Sequence, residues 1–314
     1  MTVMNADFPD QTKPASQNIC AIIVTYFPDA FFSERLGRIR AQVAKTIIVD
    51  NTGAGANPAL QFGDTGTSDI ISNASNLGIG EALNQGMKRG MDLGYKWALT
   101  FDQDSWVNPD LVSTLIGIHD AQSSPERVGI IGCNFEEENV GAPSVPFVAG
   151  GLPFREITAV ITSGSLLSFA TYARVGPFRS DFFIDFVDHE YCLRLLQLGY
   201  KVLSSTQPLM VHALGEGTVL TSIGDDRKLA IILTNRSPLR RYYMTRNGLL
   251  VAKQYFSVAP AWILRSISSL LLFAVLKIPW EHEARGRKFR ATVYGAVDAL
   301  RSRTGKAERR WLYS

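Results

Sequence analysis

Short, almost wholly apolar runs alternate with amphipathic stretches through the first two-thirds of the chain. Asn18–Thr25 (NICAIIVT) and Lys45–Val49 (KTIIV) have the composition of strands buried on both faces of a parallel sheet. Between them Tyr26-Phe27-Pro28-Asp29 breaks the run, and Ala30–Val43 predicts a helix. Asp69–Ser72 predicts a third strand, after a glycine-rich loop. Ile79–Leu93 then predicts a helix with Leu83, Met87 and Met91 on one side. Tyr95–Phe101 is the fourth strand. This β-α-β-β-α-β alternation predicts an α/β fold: a Rossmann-like, mostly parallel sheet flanked by helices.

The fourth strand ends in Phe101-Asp102-Gln103-Asp104-Ser105. On an extended chain alternate side chains share a face, so Asp102 and Asp104 are expected to project together and Gln103 away from them. Two adjacent carboxylates repel unless a cation neutralises them. A hard divalent ion holding a phosphate-bearing substrate would do so. An Asp-rich turn that merely closes the strand is the competing reading. In sheets of this kind ligands sit beyond the carboxyl ends of the strands, where strand order reverses. Thr25, Asp50-Asn51 and Asp102/Asp104 occupy three such ends. Neither G-x-G-x-x-G nor G-x-x-x-x-G-K-[ST] is present, which argues against a dinucleotide dehydrogenase and a P-loop enzyme.

Further along, Leu111–Ala121 predicts a helix and Val128–Cys133 a strand. Glu136–Pro153 reads as a long loop, and Ile157–Phe169 as a strand crossing beneath the site through Thr162-Ser163-Gly164-Ser165. Asp185, Asp188, His189 and Glu190 crowd four ionisable groups between aromatics, ahead of a helix expected over Tyr191–Leu198. Val202–Ser204 and Leu209–His212 are expected as two short strands.

Composition narrows the chemistry. Three widely spaced cysteines and four histidines among 314 residues argue against a disulfide framework and against a zinc centre. Residues 1–17 are polar and lack a signal-peptide core, so a flexible arm on a cytoplasmic protein is expected. The net charge of +3 is split: Asn235 to the end carries 16 Lys+Arg against 4 Asp+Glu, and the preceding part 16 against 25. An acidic body is a poor nucleic-acid binder, whereas a basic C-terminal part rich in helix suits an anionic membrane surface. The apolar stretch 258–279 is cut by Arg265 and Lys277. Ser266–Leu276 between them is 11 residues, against roughly 20 needed to span a bilayer. A buried or interfacial helix is expected, with packing on a second copy of the chain as the competing reading.

VTYFPD (24–29), IIVDNTG (47–53), NASNLGIGEALNQGM (73–87), LTFDQDS (99–105) and FFIDFVDHEYCLRLLQLGY (182–200) together resemble a family 2, GT-A-fold glycosyltransferase. With SPLRRYYMTRN (237–247), they are most similar to bacterial rhamnosyltransferases that use dTDP-L-rhamnose. The resemblance covers roughly residues 18–250 and implies a catalytic domain over 18–234 with a helical C-terminal extension over 235–314. It implies donor contacts from Thr25, Asp50, Asn76, Gly78 and Asp102. It further implies Mg²⁺ or Mn²⁺ on Asp104 with Asp102 and an added ligand in His212, and Asp188 as catalytic base. Val187 stands where many relatives carry Glu. Asp185, Arg240 and Arg246 are candidate acceptor or phosphate contacts. The implied reaction is inverting transfer to a saccharide or lipid-linked acceptor in cell-surface polysaccharide synthesis. Two other readings stay open. One is a haloacid-dehalogenase-like phosphatase using Asp102/Asp104, with Gly224-Asp225-Asp226 as a later acidic motif. The other is an inactive, membrane-associated relative that acts as a binding partner.

Overall fold

The computed structural model describes residues 8–9, 11–54, 68–137, 151–212, 217–219, 232–234, 236–272, 278 and 284–313. The side chains of 137, 212, 217–219 and 232–234 lie outside the description, as do most of the long loop 136–153 and the Gly224-Asp225-Asp226 motif. Two compact units emerge. The first comprises Met1–Phe183 with Val187–His212, the second Ile184–Phe186 with Ala213–Ser314. The boundary expected at 234 therefore falls inside the second unit.

The first unit is built on β1 (Ile19–Thr25), β2 (Lys45–Asp50), β3 (Ser68–Ser72), β4 (Trp97–Asp102), β5 (Trp106–Val107), β6 (Val128–Glu137), β7 (Phe154–Glu156), β8 (Ser165–Ser168) and β9 (Lys201–His212). Its sheet runs β3-β2-β1-β4-β8-β6-β9-β5, with β7 also on β9. The β3-β2-β1-β4 half is parallel throughout. β8 then enters antiparallel to both β4 and β6, while β6 and β9 run parallel. All seven residues of β1 are buried, which is why its sequence is a continuous apolar run rather than an alternating one.

Helices α1 (Phe32–Arg40), α2 (Ile79–Asp92), α3 (Leu111–Asp120), α4 (Phe169–Val175) and α5 (Val187–Gln197) belong to the same unit. On α2, Leu83 and Met87 are buried but Met91 is 36% exposed. Eight residues of α-helix overshoot two full turns by about 80°, which carries Met91 off the core stripe. Three other sequence expectations change. Between Ile157 and Phe169 only Ser165–Ser168 is a strand. The two short strands expected over 202–212 are one, because β9 continues through its polar middle with register shifts against β6. Helix α5 starts four residues earlier than expected, which puts Asp188 inside its first turn.

The arm is tied down at Phe8 and Thr12. The Phe8 ring meets Tyr200 edge-on at 4.8 Å, and the Trp97 indole N–H donates to Thr12 O at 2.7 Å. These described residues, expected as part of a flexible arm, are thus bonded to the sheet unit, though Thr12, Lys13, Ser16 and Gln17 stay exposed.

The second unit contains α6 (Pro238–Tyr255), α7 (Pro260–Leu272) and α8 (Arg285–Leu300), with a hairpin of β10 (Gly217–Val219) and β11 (Ile232–Thr234). Ser237 caps α6 by accepting from the Arg240 N–H, and Pro238 occupies the first helical position. Tyr242, Tyr243 and Tyr255 fill the core beneath α6. Among the described residues no helix is long and apolar enough to cross a membrane.

All three cysteines are free and buried, and burial pushes each thiol up to about 12. At pH 8 they are therefore protonated and shielded. Ellman's reagent should find no reactive thiol in the native protein at pH 8 and three after unfolding in guanidinium. A fast-reacting native thiol would contradict the packing of β1, β6 or α5.

Candidate functional site

Parallel register delivers the polar strand ends to one edge. Thr25 is paired with Asp50 across β1 and β2, Asp50 with Ser72 across β2 and β3, and Val24 with Asp102 across β1 and β4. Strand order reverses between β1 and β4, since β2 and β3 extend to one side and β4 lies on the other. Thr25 and Asp102 flank that reversal, where a crevice opens in such sheets.

Each residue at this edge is held by its neighbours. The buried Asp50 accepts from the Thr25 hydroxyl at 3.1 Å and from the Thr52 N–H at 3.0 Å. Asn51 donates to Gly78 O at 3.1 Å and accepts from the Asn73 amide at 2.9 Å. Asn76 accepts from the Gly78 N–H at 2.9 Å, a side-chain turn that sets the chain up for α2. Gly78 has φ of 90°, and a Cβ there would lie 2.5 Å from Phe183 O. Directly after it, the Ile79 N–H donates to that same carbonyl at 2.7 Å. The donor-loop candidates Asn76 and Gly78 are thereby joined to the 182–188 block.

At the carboxylate pair the structure refines the sequence argument. β4 ends at Asp102, and Gln103-Asp104 form a turn, so strict strand alternation does not carry Asp104. Gln103 is held by Tyr26: its amide oxygen accepts from Tyr26 N–H at 2.7 Å and its amide nitrogen donates to Tyr26 O at 3.1 Å. That two-way clasp continues the β1–β4 ladder by one residue. Arg35, 4% exposed, donates to Gln103 O at 2.8 Å and to Asp29 at 2.5 Å, placing a buried cation against the turn. Ser163 accepts from Asp102 N–H at 3.3 Å, and the Gly164 N–H donates to Thr100 O at 2.8 Å, which anchors the Thr162–Ser165 turn beside the pair. Neither the Gln103 clasp nor the burial of Arg35 is expected from the sequence. The clearest signal for Arg35 is an arginine on the apolar face of α1, between Phe32, Leu36 and Ile39.

Carboxylate oxygens, waters and the oxygens of a diphosphate make the hard donor set that Mg²⁺ and Mn²⁺ prefer, and a small site often has only one or two protein carboxylates. Asp102 and Asp104 fit that set. Among the described residues no group of three His, Cys, Asp or Glu is placed to hold a metal ion. The His212 backbone closes β9 opposite Glu137, and its side chain lies outside the description.

Asp188 sits in the first turn of α5 with its side chain 22% exposed, accepting from the His189 N–H at 2.8 Å. His189 Nδ1 is 3.5 Å from the same carboxylate. The competing role of helix N-cap does not fit a residue already inside the helix. Glu190 is buried and pairs with Arg194 at 2.8 Å, the structural role weighed for it from sequence. Just before α5, Phe183, Asp185 and Phe186 all have positive φ, at 64°, 62° and 64°. Each such non-glycine residue costs about 1–3 kcal/mol and persists only where its surroundings hold it.

The remaining candidates belong to the second unit. Asp185 and Arg240 meet each other, in a forked pair at 2.6 and 3.0 Å. Arg246 is 1% exposed, donates to Asn247 and Gly305 O, and stacks near the Tyr242 and Tyr243 rings. It is a core residue of the helical unit, which corrects its expected role as a phosphate contact.

Similarity to known proteins bears on the chemistry. No family model matches the sequence. The dTDP-rhamnosyl transferase RfbF of Shigella flexneri is 27% identical over 252 residues, covering 76% of this chain and 81% of the relative. Among solved structures, S. aureus TarS (residues 1–349) aligns with a TM-score of 0.55 at 11% identity, over 93% of each chain. The mannosyltransferase PcManGT of Pyrobaculum calidifontis, solved with GDP-mannose and Mn²⁺, aligns at 0.52 and 14% identity, over 95% of this chain and 91% of its own. The sheet order and flanking helices are those of the GT-A fold.

Gly78→Ala should lower stability by about 1–3 kcal/mol, since both the positive φ and the Phe183 carbonyl oppose a side chain. The urea midpoint measures it. An unchanged midpoint would mean that the Asn76–Gly78 loop does not pack against Phe183.

Proposed function

We propose that this chain, a family 2 glycosyltransferase of the GT-A fold, transfers L-rhamnose from dTDP-L-rhamnose to a hydroxyl of a saccharide or lipid-linked saccharide. The transfer inverts the anomeric carbon and serves cell-surface polysaccharide assembly. The alignment of Thr25, Asp50 and Asp102 along the carboxyl edge of the parallel strands carries this reading. The RfbF likeness favours dTDP-rhamnose as the donor. Nucleotide sugars in solved neighbours favour the donor class, namely UDP-GlcNAc with TarS and GDP-mannose with PcManGT.

In this reading Asp50 and Thr25 receive the nucleoside, and the Asn76–Gly78 loop closes on it. Asp102 and Asp104 would hold Mg²⁺ or Mn²⁺, which would supply positive charge against the departing diphosphate. Gln103 and Arg35 keep the turn between them rigid. Asp188 takes the proton of the acceptor hydroxyl as that oxygen attacks the anomeric carbon. The C–O bond to the diphosphate breaks, and the proton stays on Asp188. General-base help of this kind contributes about 10²–10⁴ in rate.

The phosphatase alternative is disfavoured by topology, because its first aspartate would follow the first strand, whereas here three strands precede Asp102. Purified protein with Mn²⁺ or Mg²⁺ should bind and slowly hydrolyse dTDP-L-rhamnose, lose both on chelation, and leave p-nitrophenyl phosphate untouched. The opposite pattern sinks the transferase reading. Asp188→Asn should keep donor affinity within about twofold and lower turnover by roughly 10²–10⁴. Loss of donor binding or of folding would make the residue structural.

The acceptor side is read as a membrane surface. On α7, Leu264, Leu271 and Leu272 are 57%, 61% and 56% exposed, with the exposed Arg265 beside them, in a C-terminal part carrying 16 Lys+Arg against 4 Asp+Glu. Leu264→Ser/Leu271→Ser should reduce co-sedimentation with vesicles containing phosphatidylglycerol and leave donor binding intact. Unchanged sedimentation discards this part of the reading, and a shift from dimer to monomer in the variant would assign the face to a second copy.

A further inference from the structure

Three features converge on the left-handed stretch ahead of Asp188. Asn247, fully buried on α6, donates both amide hydrogens to that stretch, to Ile184 O and to Asp185 O, each at 2.9 Å. The Asp185 carboxylate, 9% exposed, is gripped by both arms of the Arg240 guanidinium, about two turns earlier on the same helix. The Phe186 ring lies over Gly248, so close that a Cβ there would sit 3.0 Å from Phe186 Cζ and 2.8 Å from Leu270 Cδ1. Backbone carbonyls, side-chain charge and ring are thus each engaged by a different residue of α6.

We infer that Asn247, with Arg240 and Gly248, forms a latch that positions the catalytic carboxylate. This rests on the reading of Asp188 as base. Residues with φ near +60° outside glycine relax to ordinary backbone once released, and each relaxation re-aims the chain that follows. Only Val187 separates Phe186 from Asp188, so a change of backbone at 184–186 is passed directly to the first turn of α5. At the other end of the stretch, Phe183 O accepts from the Ile79 N–H beside the Asn76–Gly78 loop. The latch therefore holds the span that links the donor loop to the base. Asn247, Arg240 and Gly248 are positioning residues and need not touch substrate. The latch also gives Arg240 a role other than the phosphate contact considered from sequence.

The test uses the full chain with Mn²⁺ and dTDP-L-rhamnose, with water as acceptor. Asn247→Asp keeps the oxygen that accepts from Arg246 and removes both donors to the stretch. It should leave donor affinity within about twofold and lower hydrolytic turnover on the order of 10²-fold, the scale of an ångström-sized misplacement. Arg240→Gln, at a side chain 42% exposed, provides a milder release should Asn247→Asp fail to fold. It should lower turnover without raising the KM for donor. A raised KM with unchanged turnover would make Arg240 a phosphate contact and overturn the latch.

The decisive comparison is made in the Asp188→Asn background, where either latch variant should cost nothing further. A full additional loss there means that the residues act on something other than Asp188, which overturns the inference while leaving the proposed reaction standing. If Asp188→Asn alone does not slow turnover, the assignment of the base fails, and the latch as a catalytic device fails with it.

Discussion

The parallel hydrogen-bond ladder of β1 is the constraint on which the rest depends. With β2 on one side and β4 on the other, both parallel, its register decides which residues reach the carboxyl edge together. A slip by one residue would turn every side chain of the strand to the other face. Thr25 would then leave Asp50, and the polar edge would lose its alignment with Asp102. Complete burial of β1 makes such a slip costly, because the apolar residues on both of its faces are packed.

Polar groups at that edge are satisfied in a way that makes them rigid before any ligand arrives. Asp50, Asn51 and Ser163 are all buried, and each is engaged by hydrogen bonds to strand ends or loops. Buried polar atoms left unpaired would cost more than the bonds contribute, so the loops have little freedom to rearrange. The Gln103 clasp on Tyr26 adds a side-chain ladder where the backbone ladder stops.

The strain ahead of α5 has a complementary origin. A glycine at 183, 185 or 186 would accept the same φ values at little cost but would leave the chain mobile. Phenylalanine and aspartate there supply a ring and a carboxylate that the second unit can grip, which turns an unfavourable backbone into a fixed one. The unit holding Ile184–Phe186 is the helical one, although the residues on either side belong to the sheet unit.

Periodicity and composition alone determined the parallel strands and the helices between them, because burial on two faces or one writes itself directly into the order of apolar residues. The carboxylates Asp50, Asp102, Asp104 and Asp188 were legible as candidates because charged side chains beside strand ends and aromatics are unexpected in a folding pattern. The continuous β9 was not legible, since its polar middle is compensated by bonds that Asn134 donates to Ser205 Oγ and Thr206 O, which no local pattern announces. Arg246 was misread for a related reason: a cation is drawn into a core only by partners distant in sequence, such as Gly305. Gln103, Arg35 and Asn247 emerged only in three dimensions. Each acts by hydrogen-bonding a backbone group far away in the chain, and every residue offers the same backbone groups, so nothing in the sequence distinguishes their targets.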